Sequence, residues 1–296
     1  MSDNKFTFAV PARGVGFAPV HYAAREGLFC KHGLDVNVIL LEGGPACALA
    51  LLAGEIHLTS VLGPLVRCAM KDGARGFRVI SGMRKKLEFA IVGKPQLGSI
   101  QDLTGKSLES PHSDWSGGTY LKYVLRQLGL EGKIRLVYNY VTQEQRLEGL
   151  LKGEFEAGLL AGEKVLMAEE RGFKVLVPFE EALPDVSSSA LATTPELLRT
   201  NREAVKAFIR AIQEAIGEMQ GSPEKFVDFL CRHFSMSREM ASSFQTRQSP
   251  KFSLPIKIDS IQREIDISHE VHGFPRIKAE EIVDLTLLSE VMSEKK

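Results

Sequence analysis

Leu51-Leu52-Ala53-Gly54-Glu55-Ile56 and Leu150-Leu151-Lys152-Gly153-Glu154-Phe155 are two copies of one junction, a helix end that passes through Gly-Glu into a strand. Two further pairs accompany it. Gly33-Leu34-Asp35 matches Gly129-Leu130-Glu131, and Arg75-Gly76-Phe77-Arg78-Val79 matches Arg171-Gly172-Phe173-Lys174-Val175. A single helix-glycine-strand junction is common. Three pairs in the same order and at similar offsets point to an internal repeat, and so to two related α/β lobes.

The flanking residues supply the elements. Phe6–Val10 alternates as a strand, and Val20, Ala23, Ala24, Gly27 and Leu28 fall at helical spacing within Pro19–Cys30. Gly33 stands where helices stop. Val36–Leu41 is an apolar, β-branched strand, and Pro45 suits the first position of the helix that follows. Ile56–Val61 and Arg78–Gly82 read as strands, with a helix starting near Pro64 between them. Strands alternating with helices of this length predict βαβ units and a mainly parallel sheet. After Ser187 the pattern turns helical: Ala204–Met219 places Val205, Phe208, Ile209, Ile212, Ile216 and Met219 on one face. Helices are also expected over Ser237–Phe244, Asp259–His269 and Lys278–Met292. The predicted division is residues 1–86 plus 190–296 in the first lobe and 87–189 in the second. Two hinge crossings are expected, near Arg84–Phe89 and Leu183–Ser189, with the C-terminal helices packed on the first lobe.

Composition narrows the function. The 296 residues are 44 % hydrophobic and 25 % charged, which is ordinary for a globular chain. Lys+Arg and Asp+Glu are 37 each, so no basic excess points to nucleic acid or an anionic membrane. No apolar run approaches the roughly 20 residues a membrane span needs. Met1-Ser-Asp-Asn-Lys5 leads into a strand without a leader pattern, which leaves open a cytosolic protein or one whose leader is absent from this sequence. Cys30, Cys47, Cys68 and Cys231 form no Cys-x-x-Cys pair and no metal spacing, so buried free thiols are expected. His269 and His272 share a helical face with no third ligand nearby, and no metal or cofactor is expected.

Open parallel sheets bind ligands beyond the carboxyl ends of their strands. Those loops offer Arg13, Gly14 and Phe17 after the first strand, Gly44 and Pro45 after the second, Ser60 and Val61 after the third, and Arg84 near the crossing. In the second lobe they offer the run His112-Ser113-Asp114-Trp115-Ser116-Gly117, then Tyr140, then Gly162 and Glu163, with Ser188 at the return crossing. The His112–Gly117 run precedes a helix, whose free N–H groups and dipole favour an anionic or carbonyl oxygen. Trp115, the only tryptophan, offers a stacking face. Arg13 and Arg84 are candidates for a forked contact to an acid. Arg13-Gly14-Val15-Gly16-Phe17 departs from the dinucleotide fingerprint, since Pro19 stands at the third glycine position. Neighbouring His112, Ser113 and Asp114 cannot form a catalytic triad among themselves.

Several stretches resemble the alkanesulfonate/taurine/nitrate-type solute-binding proteins of ABC transporters. They are Pro11–Ala23, Glu26-Gly27-Leu28-Phe29-Cys30-Lys31-His32-Gly33-Leu34-Asp35-Val36, Leu52–Leu58, Leu103–Lys106, Leu151–Gly158 and Pro195–Ala211. The same superfamily includes the yeast-type thiamine-pyrimidine synthases. The resemblance implies a type II periplasmic-binding fold with two crossovers and a ligand in the cleft. It further implies a periplasmic or extracellular monomer that hands a small ligand, anionic or aromatic, to an ABC permease. The synthase branch carries a cysteine-rich iron motif and a reactive His and Lys. Here Ser187-Ser188-Ser189 lies about where those cysteines would fall, and no His or Lys follows Ser60 before Lys71, which argues against an enzyme. The alternatives kept are a cytosolic enzyme of the same fold, thiamine-pyrimidine synthase-like or dehydratase-like, and a ligand-sensing module.

Overall fold

The computed structural model describes residues 4–140, 142–187 and 189–294. Ten strands make two sheets of five: β1 (Lys5–Val10), β2 (Asp35–Leu40), β3 (Leu58–Thr59), β4 (Arg78–Arg84), β5 (Phe89–Gly93), β6 (Ser107–Glu109), β7 (Arg135–Val137), β8 (Ala157–Ala161), β9 (Lys174–Pro178) and β10 (Ser189–Thr193). The first sheet runs β2-β1-β3-β10-β4 and the second β7-β6-β8-β5-β9. The repeated motifs lead into equivalent strands, β2 and β7, β3 and β8, β4 and β9. In each sheet the fourth strand runs antiparallel to both neighbours, and it is the strand that arrives from the other half of the chain. The chain therefore crosses between sheets twice, from β4 to β5 and back into β10.

The duplicated junction is duplicated in atomic detail. Gly54 and Gly153 both take left-handed backbone, φ 76° and 78°. In each copy the glycine N–H bonds the carbonyl three residues back, and the next glutamate bonds the carbonyl five back, Glu55 to Ala50 and Glu154 to Gly149. This closes the helix and turns the chain into its strand without the penalty a Cβ would carry.

Each sheet is covered on both faces. One face of the first sheet carries Phe8, stacked on Phe208 at 5.6 Å, with Phe29 on the other side of Phe208 at 5.0 Å. Phe208 belongs to the helix Arg202–Gly221, whose predicted apolar face is buried throughout. Each such large side chain contributes roughly 1.5–3 kcal/mol by leaving water. The opposite face packs the helices Gly44–Leu52 and Gly63–Asp72. The second sheet lies between the helix Ser116–Gln127 on one side and Gln143–Leu151 with Glu163–Glu169 on the other.

Several elements differ from the sequence expectation. The sheets are mixed rather than mainly parallel, because the crossing strands run antiparallel. The helix expected over Pro19–Cys30 is two, Ala18–Arg25 and Leu28–Lys31, since Gly27 at φ 73° interrupts it. The helix expected over Lys278–Met292 shrinks to Thr286–Ser293 after a short 3-10 turn. Ile258–His272 does not pack on one lobe alone. Its Ile261 and Ile265 enter the core beside the first sheet, and its Ile267 enters the core of the second. The four cysteines are free, but Cys30 is exposed while Cys47 is buried, its thiol pushed up to about 12 chiefly by burial. Among the described residues no helix is long and apolar enough to cross a membrane.

Candidate functional site

A cavity of about 380 Å³ opens between the two sheets. Its walls are the loops at the carboxyl ends of the parallel strands: Pro11–Phe17 after β1, Glu42–Gly44 after β2 and Ser60–Leu62 after β3 from one side. Pro111–Gly117 after β6 and Ala161–Glu163 at the end of β8 face them from the other. Both halves of the repeat thus aim equivalent strand ends at one space. The size and mixed lining suit a small organic molecule.

The apolar wall is aromatic. Trp115 lies against the backbone of Gly43, and Phe17 and Phe89 complete it. Trp115 is held by its own loop. Its N–H bonds the His112 carbonyl at 3.0 Å, its carbonyl accepts from the Thr119 N–H at 3.0 Å, and Thr119 Oγ1 donates to Ser113 at 2.9 Å. From across the cleft Arg67 Nη2 donates to the Asp114 carbonyl at 2.7 Å. Arg67 lies 3.6 Å from the buried Glu264 carboxylate.

The polar wall holds unsatisfied groups. Ser60 and Ser189 are 1 % and 6 % exposed, and both hydroxyl oxygens lack a hydrogen-bond partner. Glu88 Oε2 is buried and likewise has no hydrogen bond, its nearest cation being Arg84 Nη1 at 3.9 Å. Buried polar atoms in folded proteins are nearly always bonded, so these three leave hydrogen-bonding capacity open beside one cavity. Deeper in the wall, Glu163 pairs with Lys164 at 3.2 Å, and Lys164 with Glu144 at 3.1 Å. Burial raises the Glu163 carboxyl above its ordinary range, with Lys164 pulling the other way. Arg146 is committed to Glu109 at 2.9 Å and to the Tyr140 carbonyl at 2.9 Å, and burial pushes the Glu109 carboxyl up to about 7.

Of the residues expected at the site, Arg13, Gly14, Phe17, Gly44, Ser60, Val61, Trp115, Ser116, Gly117, Gly162 and Glu163 line the cavity. Pro45 does not; it sits in the first turn of its helix. Arg84 does not line the cavity; it is 1 % exposed, with Nη2 on Gln248 Oε1 at 2.5 Å, its guanidinium over the Phe252 ring and Nη1 3.9 Å from the lining Glu88. His112 and Asp114 face outward, their side chains 67 % and 65 % exposed, and Ser113 offers the loop only its carbonyl. Tyr140 packs its ring on Phe155 behind the wall. Ser188 lies outside the described residues; its neighbour Ser189 lines the cavity, and Ser187 shares a hydrogen bond with Ser260. Sequence reasoning missed Glu88, Arg146 and Arg67. Glu88 sits in the expected hinge, and no local pattern in the sequence marks it as facing the cavity. Arg67 lies inside a helix and reaches the site only through the fold. His269 and His272 are half-buried and each is bonded: His269 Nδ1 to the Phe274 carbonyl, and His272 Nε2 to Thr119 Oγ1.

Two five-stranded sheets with crossed fourth strands and a cleft lined from both define a type II periplasmic-binding fold. A family model described as NMT1/THI5 like matches residues 15–226, so the chain belongs to that family. It is 23 % identical over 220 residues to a candidate binding protein of Brucella abortus, covering 73 % of this chain and 67 % of that one. Among solved structures it superposes on the alkanesulfonate-binding protein SsuA from Xanthomonas axonopodis pv. citri bound to MOPS, with TM-score 0.81, 14 % identity, and 96 % and 99 % of the two chains covered. It also superposes on the periplasmic nitrate-binding protein NrtA from Synechocystis, with TM-score 0.80, 13 % identity, and 98 % and 89 % covered. At these identities the likeness establishes the fold.

Proposed function

We propose that this chain is a solute receptor that closes its two lobes, residues 1–86 plus 190–296 and residues 87–189, on a small organic ligand and delivers it to an ABC permease. The observation that carries the reading is the set of buried groups without hydrogen bonds, Ser60 Oγ, Ser189 Oγ and Glu88 Oε2, on residues that line one cavity from three separate segments. The aromatic wall of Trp115, Phe17 and Phe89 accepts a flat body, and the start of the helix Ser116–Gln127 accepts an oxygen of the ligand. The family and its structural neighbours support receptor work rather than catalysis. That kinship supports a periplasmic or extracellular setting, and a monomer suffices because one chain supplies both walls of the cavity.

Closure is a population shift: a ligand that touches both walls favours the closed state by its differential affinity. A thermal-shift screen over sulfonates, aromatic carboxylates, nitrate and pyrimidines tests this, paired with small-angle scattering. A binder present at 100 times its Kd adds about 2.7 kcal/mol of stability, and the radius of gyration falls. Turnover of a compound that leaves the melting point and the radius unmoved would overturn the receptor reading.

A further inference from the structure

We propose that the ligand of this cavity carries a protonated nitrogen, an amine or amidine group, seated between the carboxylates of Glu88 and Glu163. The inference rests on the receptor reading and names the chemistry it serves.

Both carboxylates converge on the glycine loop Gly14–Gly16 from the opposite side of the cleft. A Cβ on Gly16 would stand 2.5 and 2.7 Å from the two Glu88 oxygens, and one on Gly14 would stand 3.8 and 3.9 Å from those of Glu163. A Cβ on Gly162 would lie 3.4 Å from Glu88 Oε2. Side chains are missing where the two acids need room. Two carboxylates sharing an enclosed, partly apolar space repel each other unless a cation sits between or beside them.

The protein's own cations meet the two acids only in part. Lys164 is shared between Glu163 and Glu144. Arg146 is bonded to Glu109. Arg84 Nη1 forms an ion pair with Glu88 Oε2 at 3.9 Å, too long for a hydrogen bond, while its Nη2 is on Gln248, so Glu88 Oε2 is buried without a hydrogen bond. Arg13 stands exposed at the rim. The walls thus present four carboxylates, Glu42, Glu88, Glu144 and Glu163, against the two guanidiniums of Arg13 and Arg146.

The remaining lining fits the same guest. Ser60 and Ser189, nine-tenths buried or more and unpartnered, offer acceptor oxygens to N–H donors. The rings of Phe17, Phe89 and Trp115 attract a cation through their faces while covering an apolar body. An oxygen at the far end of the molecule can still rest on the Ser116–Gln127 helix start, so a two-ended ligand is accommodated.

The test is isothermal titration and thermal shift on the full chain with benzamidinium and phenethylammonium. Benzamide and 2-phenylethanol serve as neutral counterparts and benzenesulfonate as the anionic one. The expected result is stabilisation by the cations, weakened at least tenfold by Glu88→Gln and by Glu163→Gln. The neutral compounds should bind the variants and the parent alike. Either variant suffices if the other fails to fold. Stabilisation by benzenesulfonate or the neutral compounds in place of the cations overturns the charge assignment and leaves the receptor reading standing. No stabilisation by any member of the set overturns both.

Discussion

The indole of Trp115 lies on the backbone of Gly43, close enough that a Cβ there would stand 3.0 Å from the ring. One residue belongs to the loop after β6, the other to the loop after β2, so this is one of the contacts by which the two halves of the repeat touch. Gly43 also has φ 90°, a conformation L side chains rarely adopt. Gly43→Ala therefore acts twice, by straining the turn and by pushing the ring away. The expected outcome is a loss of about 1 kcal/mol or more of stability and a tenfold or larger loss of ligand affinity. Thermal melts and titration read the two effects separately. Tryptophan emission, which comes from this single ring, should change on ligand addition in the parent and much less in the variant.

Ser60 and Ser189 bury hydroxyls that nothing bonds. Removing them from the ligand-free protein should cost nothing, or raise its melting point slightly, because an unmade bond is being deleted. Removing them from the complex should weaken binding, each by about 0.5–1.5 kcal/mol, or roughly two- to tenfold. Titration of Ser60→Ala and Ser189→Ala checks this. A drop in the stability of the empty protein with unchanged affinity would give the hydroxyls a structural role instead.

Arg67 ties the Trp115 loop to the first lobe through the Asp114 carbonyl, and it shares the interior with Glu264. Arg67→Met leaves Glu264 a buried carboxylate without its cation, a change that costs about 3–5 kcal/mol when one partner of a buried pair is lost. Affinity should fall with it, because the loop that carries Trp115 loses its anchor. Urea unfolding reads the first effect and titration the second. The double variant Arg67→Met, Glu264→Gln should regain much of the stability but not the affinity.

Glu109 predicts a pH dependence. Burial raises its carboxyl from 4.5 to about 7. A raised acid holds its proton in the folded state, so its contribution is fully present below about 4.5 and lost as pH rises through 7. The stability difference between the parent and Glu109→Gln should therefore move against the parent across that window. A flat difference from pH 4.5 to 7 would show that Arg146 already holds the carboxylate ionised.

Much of the architecture was legible along the chain. Left-handed glycines, β-branched runs and the spacing of apolar residues are local properties, and Gly54 with Gly153 marked the repeat because the same turn requires the same residue. The strand-end rule pointed to Trp115, Ser60 and Glu163, which line the cavity, since it needs only the order of elements. Arg84, also at a strand end, does not line the cavity itself; it is buried behind it, on Gln248 164 positions away and 3.9 Å from Glu88. The rule also assigned the loop His112–Asp114 to the cavity, although the turn that seats Trp115 sends the His112 and Asp114 side chains to solvent.

The sequence by itself determined two α/β halves, their strand ends and the family to which they belong, because these follow from short-range pattern and backbone chemistry. Only the tertiary structure decided which charges share the cavity. Glu88 and Glu163 are 75 positions apart, and Glu109 and Arg146 are 37. Whether each acid meets a cation, a second acid or an empty space depends on how the sheets are brought together. The sign of the site's field is a sum over neighbours in space, and the order of residues along the chain does not contain that sum.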